Sequence, residues 1–138
     1  MEKACLVGNK KLLLQIENMA ENKRLPHAVI VEGDAFSGRK TLAKHIARLA
    51  CCMGEKAPCG QCTACLLEQN PDITLIKQKK KGLIGVDVAR KIRGDAYILP
   101  NNSSKRVFII DSADKMNLNA QNALLKVIEE PPERAMFI

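Results

Sequence analysis

The chain has 138 residues, 27% of them charged and 3% aromatic, with six cysteines and a formal net charge of +7 at pH 7. That length suits one domain with a modest core and excludes two, while an apolar fraction of 46% is that of a globular fold. One Tyr, three Phe and no Trp argue against a base-stacking surface for single strands, and no apolar run approaches the length of a membrane span.

From the N-terminus, Met1-Glu2-Lys3 leads into a short, polar-interrupted stretch without the pattern of a secretory signal. The cysteines are therefore expected to be intracellular thiols, with metal binding as their default chemistry. Cys5 stands apart and reads as a small buried apolar residue. Residues 9–22 place Leu12, Ile16 and Met19 at helical spacing. Ala28-Val29-Ile30-Val31 reads as a short buried strand entering a turn at Glu32-Gly33.

Gly33-Asp34-Ala35-Phe36-Ser37-Gly38-Arg39-Lys40-Thr41 then lies between a strand and a helix, where a phosphate-binding loop belongs. In the working motif GxxxxGK[ST], backbone amides cradle phosphates, the lysine reaches the outer ones and the hydroxyl holds Mg²⁺. Gly33 and Gly38 have the right separation, but Arg39 stands in the lysine place and Lys40 in the hydroxyl place. A charged ammonium has no lone pair for a metal, and a forked guanidinium does not replace a compact ammonium. Asp34 adds a carboxylate to a loop meant for anions, and Phe36 adds bulk where backbone must approach phosphate. The expectation is a strand–helix turn that keeps its shape and has lost its ligand, with ATP binding as the sharper alternative.

Leu42, Ile46 and Leu49 carry a second helix from Gly38 to about Cys52. Cys59, Cys62 and Cys65 follow as CxxCxxC, with Gly60 easing the turn. Two thiolates on one tight turn are zinc-ligand spacing, and the fourth ligand is Cys52 or Cys51. Four cysteines close the site, so a structural metal is expected there, with no open position for catalysis. The alternative is a set of unpaired thiols.

Asp72-Ile73-Thr74-Leu75-Ile76 reads as a second strand bounded by Pro71. Lys77, Lys79, Lys80 and Lys81 form a basic loop ending at Gly82, expected to be solvated, with phosphate-backbone contact as the alternative. Val86, Val88, Ala89 and Ile92 predict a helix stopped near Gly94. Arg106-Val107-Phe108-Ile109-Ile110-Asp111 is the clearest strand. A phosphate loop is usually paired with a strand ending in Asp-Glu, for the Mg²⁺ shell and the attacking water. Here Asp111 is in place, Ser112 cannot act as a carboxylate base, and Asp114 is displaced into the next turn. A last helix is predicted from Asn117 to Glu130 with Ala120, Leu124 and Ile128 on one face, ended by Pro131-Pro132. Ala135 to Ile138 looks like the start of another buried strand, so the sequence reads as a fragment of a longer protein. His27 and His45 lack partners at catalytic spacing and read as structural. Alternating strands and helices imply a parallel sheet with helices on both faces.

Arg24 to Gly33, the cysteine cluster, Val107 to Met116 and Asn122 to Pro132 together resemble the bacterial clamp loader, specifically the AAA+ domains of the delta-prime and gamma/tau subunits of DNA polymerase III. The resemblance covers nearly the whole chain. It implies an α/β P-loop NTPase fold of three αβα layers, truncated at its C-terminus, spanning 1–138 with a zinc-binding insertion at about 51–70. It implies a structural Zn²⁺ on Cys52, Cys59, Cys62 and Cys65, in a knob supporting subunit contacts. Gly33, Gly38, Arg39, Lys40, Thr41 and Asp111 would be a degenerate nucleotide site with no catalytic residue, and ATP with Mg²⁺ is not expected to be used. The departures at Arg39, Lys40 and Ser112 match the delta-prime type, a non-hydrolysing ring member that offers its neighbour an arginine finger from a Ser-Arg-Cys motif. That motif is expected beyond residue 138, and Arg134 does not match it. Implied partners are gamma/tau and delta subunits in a hetero-oligomeric ring of the DNA polymerase III holoenzyme, with the sliding clamp and primed DNA reached through the complex, in the cytoplasm and at no membrane. The rivals are a gamma/tau-like ATP-hydrolysing subunit and a zinc-dependent nucleic-acid module using the lysine run.

Overall fold

A computed structural model of the chain describes residues 8–67, 69–78 and 82–138; Cys5 and Lys79 to Lys81 lie outside the described residues. Helix α1 runs Lys10–Glu21 and α2 Arg39–Cys51, followed by the one-turn α3 at Thr63–Leu66. Strand β1 (Ile73–Ile76), α4 (Val86–Asp95), β2 (Arg106–Ile110), α5 (Leu118–Glu129) and β3 (Ala135–Phe137) complete the order. A 3₁₀ turn at Ala113–Lys115 separates β2 from α5.

The strands form a parallel sheet in the order β1-β2-β3, with Ile73 opposite Val107 and Arg106 opposite Ala135. Side chains alternate across the sheet, so β2 supplies both cores. Val107 and Ile109 face Ala43, Ile46, Ala47 and Ala50 of α2, four residues at the spacing that lines one helical face. Phe108 faces Ala89 and Ile92 of α4 and Ala120, Leu124 and Val127 of α5, and its ring stacks on Phe137 at 5.5 Å. A strand buried on both faces is why β2 reads as an unbroken apolar run. Asn117 starts α5 by accepting a hydrogen bond from the Ala120 N–H at 2.8 Å, satisfying one of the free donors of the first turn. On α1 the packed face is Ile16 and Ala20, and Leu12 stays 38% exposed.

The strand expected at Ala28–Val31 is not formed as a regular strand. Ala28 makes an isolated parallel bridge to Phe137, with Val29 N–H donating to Phe137 O at 2.9 Å and Phe137 N–H to His27 O at 2.8 Å. The ladder has only Ile138 beyond that point in this chain, and Ile30 is 92% exposed. The run therefore sits in the fourth sheet position, beside β3, held by one bridge.

Asp72, at the entrance to β1, is fully buried. Its Oδ1 accepts from Asn101 N–H at 2.6 Å and its Oδ2 from Asn102 N–H at 2.8 Å. Burial pushes its carboxyl up, but the amides of Asn101 and Asn102 outweigh that and hold it below the usual range. The loop so anchored closes the C-terminus of α2: Ser104 N–H donates to Cys51 O at 3.3 Å and Ser104 Oγ to Ala50 O at 2.7 Å. These bonds satisfy carbonyls that a helix end leaves without partners.

Candidate functional site

Two sites lie at opposite ends of α2. At its C-terminus the helix stops at Cys51, and Cys52 leaves with φ −62° and ψ 133°. That change of direction separates the two neighbouring thiols. Cys51 stays in the core, where its Sγ donates to Lys105 O at 3.3 Å and burial pushes the thiol up to about 12. Cys52 turns toward Cys59, Cys62 and Cys65, and the four sulfurs all lie within 4.8 Å of one another. The choice between Cys51 and Cys52 thus falls on Cys52.

The Cys59–Cys65 and Cys62–Cys52 sulfur separations are 3.9 and 4.0 Å. A tetrahedron of thiolates with metal–sulfur bonds of about 2.3 Å has edges of about 3.8 Å. The four-cysteine cluster can therefore hold a metal ion with little rearrangement. Cys59 N–H points at Cys52 Sγ at 3.4 Å and Cys62 N–H at Cys59 Sγ at 3.3 Å. Amides of Gln61 and Cys62 bring the Cys59 thiol down to about 6. Burial raises the thiol of Cys62, and the N–H groups of Met53 and Cys65 more than offset it. Burial pushes Cys65 up to about 12 and raises Cys52 as well. Without a cation, a cluster with two easily ionised and two reluctant thiols does not carry four thiolates at neutral pH.

Gly54 is a contributor that sequence reading missed. A Cβ there would stand 2.4 Å from Cys59 Cβ, so only glycine lets the loop leaving α2 pass the Cys59 turn. Its place between Cys52 and Cys59 carried no motif. Leu49 and Ala57 are buried against the cluster and tie it to the body of the fold.

At the N-terminus of α2 the residues of the degenerate loop meet the end of β2. Gly38 caps the helix at φ +85°, and Phe36 also sits in the left-handed region at φ +62°, fully exposed. A positive φ is uncommon for a non-glycine residue. Gly33 faces Ser37, whose Oγ would lie 2.8 Å from an added Cβ. The turn leads into the helix that begins at Arg39.

A cleft of about 370 Å³ opens between residues 29–32, the start of α2 and the end of β2, lined among others by Glu32, Arg39, Lys40, Asp111, Ser112 and Asp114; Gly33 and Gly38 are not among its lining residues. It sits at the carboxyl ends of the parallel strands, where open α/β sheets place their ligands. Lys40 Nζ lies 2.8 Å from Asp111 Oδ2, bringing together two of the residues singled out from sequence. Arg39 lines the same cleft. Thr41, next on the helix, is only partly exposed and does not line the cleft. Ser112 adopts φ 59° and ψ 56°, and its carbonyl accepts from Lys115 N–H at 2.8 Å. Asp114 Oδ2 lies 3.9 Å from Lys115 Nζ in the 3₁₀ turn.

Neither histidine lines the cleft or belongs to the cysteine cluster. His27 Nε2 is 3.1 Å from Ile128 O and His45 Nε2 is 3.4 Å from Glu17 Oε1. Of the basic run only Lys77 is described, so its expected solvent role lies mostly outside the described residues. No helix among the described residues is long and apolar enough to cross a membrane.

A family model described as DNA polymerase III, delta subunit, matches residues 8–138. A DNA polymerase III subunit gamma/tau of Mycobacterium tuberculosis is 35% identical over 138 residues, covering 96% of this chain and 24% of the relative. The DNA polymerase III subunit tau of Bacillus subtilis is 32% identical over 136 residues, with 96% and 24% covered. The subunit tau/gamma of Haemophilus influenzae is 31% identical over 138 residues, with 98% and 20% covered. The chain thus spans about a quarter or less of these relatives. The crystal structure of a gamma subunit-related protein of DNA polymerase III from Thermotoga maritima superposes with a TM-score of 0.67 at 22% identity, over 89% of this chain and 38% of that one, which establishes the fold.

Proposed function

The chain belongs to the DNA polymerase III delta-subunit family, and from that premise we propose that it is the AAA+ core of a delta-prime-type clamp-loader subunit, a non-hydrolysing member of a ring that loads the sliding clamp onto primed DNA. The observation that carries this reading is the end of β2. Asp111 is followed by Ser112 in a left-handed turn, and the next carboxylate, Asp114, stands beside Lys115 in the 3₁₀ turn. A hydroxyl cannot take the proton of an attacking water as a carboxylate does, and Asp114, although it lines the cleft, stands three residues beyond Asp111 in the 3₁₀ turn. Arg39 and Lys40 do not fit Mg²⁺-ATP either: a forked guanidinium replaces the compact ammonium that reaches the phosphates, and Lys40 has no oxygen for the metal. No step through ATP is derived for this chain.

The rival reading is a gamma/tau-like ATPase, favoured by the names of the three relatives quoted above. It requires the residues of this chain to hold Mg²⁺ and activate water, and Arg39, Lys40 and Ser112 count against it.

For the knob, the proposed ion is Zn²⁺. Thiolates suit a soft cation, the cluster is closed by four of them, and a closed tetrahedral set is structural. When bound, the metal supplies cross-linking of the Cys52–Cys65 segment. Cys59 and Cys62, with their amide-stabilised sulfurs, hold the first charge, and Cys52 and Cys65 give up protons to complete the set.

The function is tested by reconstitution. Full-length protein is combined with the gamma/tau-type and delta-type subunits of its own organism, and clamp loading onto primed DNA is followed by fluorescence. Loading is expected to stop when this protein is left out and to return when it is added. Loading at an unchanged rate without it would reject the assignment.

A further inference from the structure

We propose that Lys40 is the resident cation of the cleft: its ammonium stands in for a divalent metal at Asp111 and keeps Mg²⁺ out. The inference rests on reading the cleft as a vestigial nucleotide site, and it goes further by naming the residue that changes its ligand class.

In a working loop of this kind, the residue after the lysine offers a hydroxyl and the strand-terminal aspartate lies opposite, and together they hold the metal. In this chain the same two places are taken by Lys40 and Asp111, and they hold each other. Lys40 is the second residue of α2, directly after Arg39 and the Gly38 cap. Asp111 follows the last residue of β2, and its N–H donates to Ile76 O at 2.9 Å, which holds its backbone against β1. The ammonium–carboxylate separation of 2.8 Å is that of a charge-assisted hydrogen bond.

Both side chains are partly exposed, so the pair adds little to fold stability. Its effect is one of occupancy. Mg²⁺ requires near-octahedral oxygen ligands at about 2.0–2.1 Å, and Lys40 brings a charged group with no lone pair to that position. A dication reaching Asp111 would face Lys40, with Arg39 lining the same cleft, and like charges at contact distance repel strongly where water is partly excluded. Glu32 and Asp114 are the other carboxylates lining the cleft, and Asp114 already stands near Lys115.

The test titrates full-length protein with Mn²⁺ alone as the probe, reading free Mn²⁺ by electron paramagnetic resonance. Wild type is expected to show no Asp111-dependent site. Lys40→Thr is expected to gain one, about tenfold tighter or more, as removing one like charge at contact distance predicts. Adding Asp111→Asn to Lys40→Thr is expected to remove the gain. If Lys40→Thr does not fold by circular dichroism, Lys40→Gln takes its place, with the same gain expected and the same consequence if it is missing. Mn²⁺ binding by wild type that Asp111→Asn abolishes would overturn the proposal, as would a folded neutral variant that gains no site. Either result leaves the clamp-loading assignment standing. Conversely, an empty wild-type site together with clamp loading that proceeds without the subunit rejects the assignment and leaves the role of Lys40 intact.

Discussion

Cys59→Ser is expected to release the metal and to open the segment between Cys52 and Cys65. Purified wild type should carry about one equivalent of zinc, and the variant close to none, because three thiolates and a hydroxyl hold zinc far more weakly than a closed four-thiolate set. Structural zinc contributes about 10–16 kcal/mol of apparent binding free energy in small finger peptides. Only part of that is coupled to this fold: Cys52 and Ala57 pack with Leu49, while Ala64 and Cys62 pack on the core between α2 and β2. Re-exposing Leu49 and Ala57 should lower global stability by roughly 2–3 kcal/mol. Limited proteolysis should then cut first within 53–64, while the sheet and α4–α5 stay protected. Metal affinity should also fall as pH falls. The Cys52 and Cys65 thiols are held above their ordinary value, so metal must displace their protons, and lower pH favours the protonated side. A Cys59→Ser protein with unchanged zinc content and an unchanged cleavage pattern would remove the cluster from the account.

Asp72→Ala is expected to cost roughly 2–4 kcal/mol of folding stability, read from urea unfolding. The change removes the charged acceptor of the Asn101 and Asn102 amides, two part-buried hydrogen bonds at about 1.5 kcal/mol each. It also releases the loop whose Ser104 closes the end of α2. Asp72→Asn should cost nearly as much, since an amide keeps the volume but presents only one acceptor oxygen to two N–H groups. The pH dependence follows from the direction of the shift. The folded carboxyl is held low, so its contribution is complete above the unfolded value of about 3.9 and disappears as pH falls through the folded value. The gap between wild type and Asp72→Asn should therefore be constant at neutral pH and close in acid. An equal gap at all pH values would mean that the charge of Asp72 contributes nothing.

These two sites also show what could be read from the chain and what could not. The unbroken apolar run of β2 and the 3.6-residue spacing on α2 and α5 are local signals, and they appear where the pattern puts them. Asp72 is different. It reads as the polar start of a strand, and its partners lie 29 and 30 residues away, so no local pattern marks it. Lys40 and Asp111 were each visible as motif positions, but their pairing depends on the sheet bringing β2 beside the start of α2. The one-turn α3 is too short to show periodicity. Cys51 and Cys52 are chemically identical neighbours, separated only by where the helix ends. Gly54 had no motif at all, because its requirement arises from how closely Cys59 passes it. The strand expected at Ala28–Val31 is apolar enough for a sheet, yet strand structure depends on a partner's ladder, and Phe137 offers it a single bridge.

The central claim is that the fold keeps the frame of a nucleotide site without its chemistry. Its most direct test is steady-state ATP hydrolysis by the full-length protein with Mg²⁺, measured beside an Asp111→Asn variant as background. The account predicts no turnover by wild type above that background. Magnesium-dependent turnover by wild type that Asp111→Asn abolishes would contradict it.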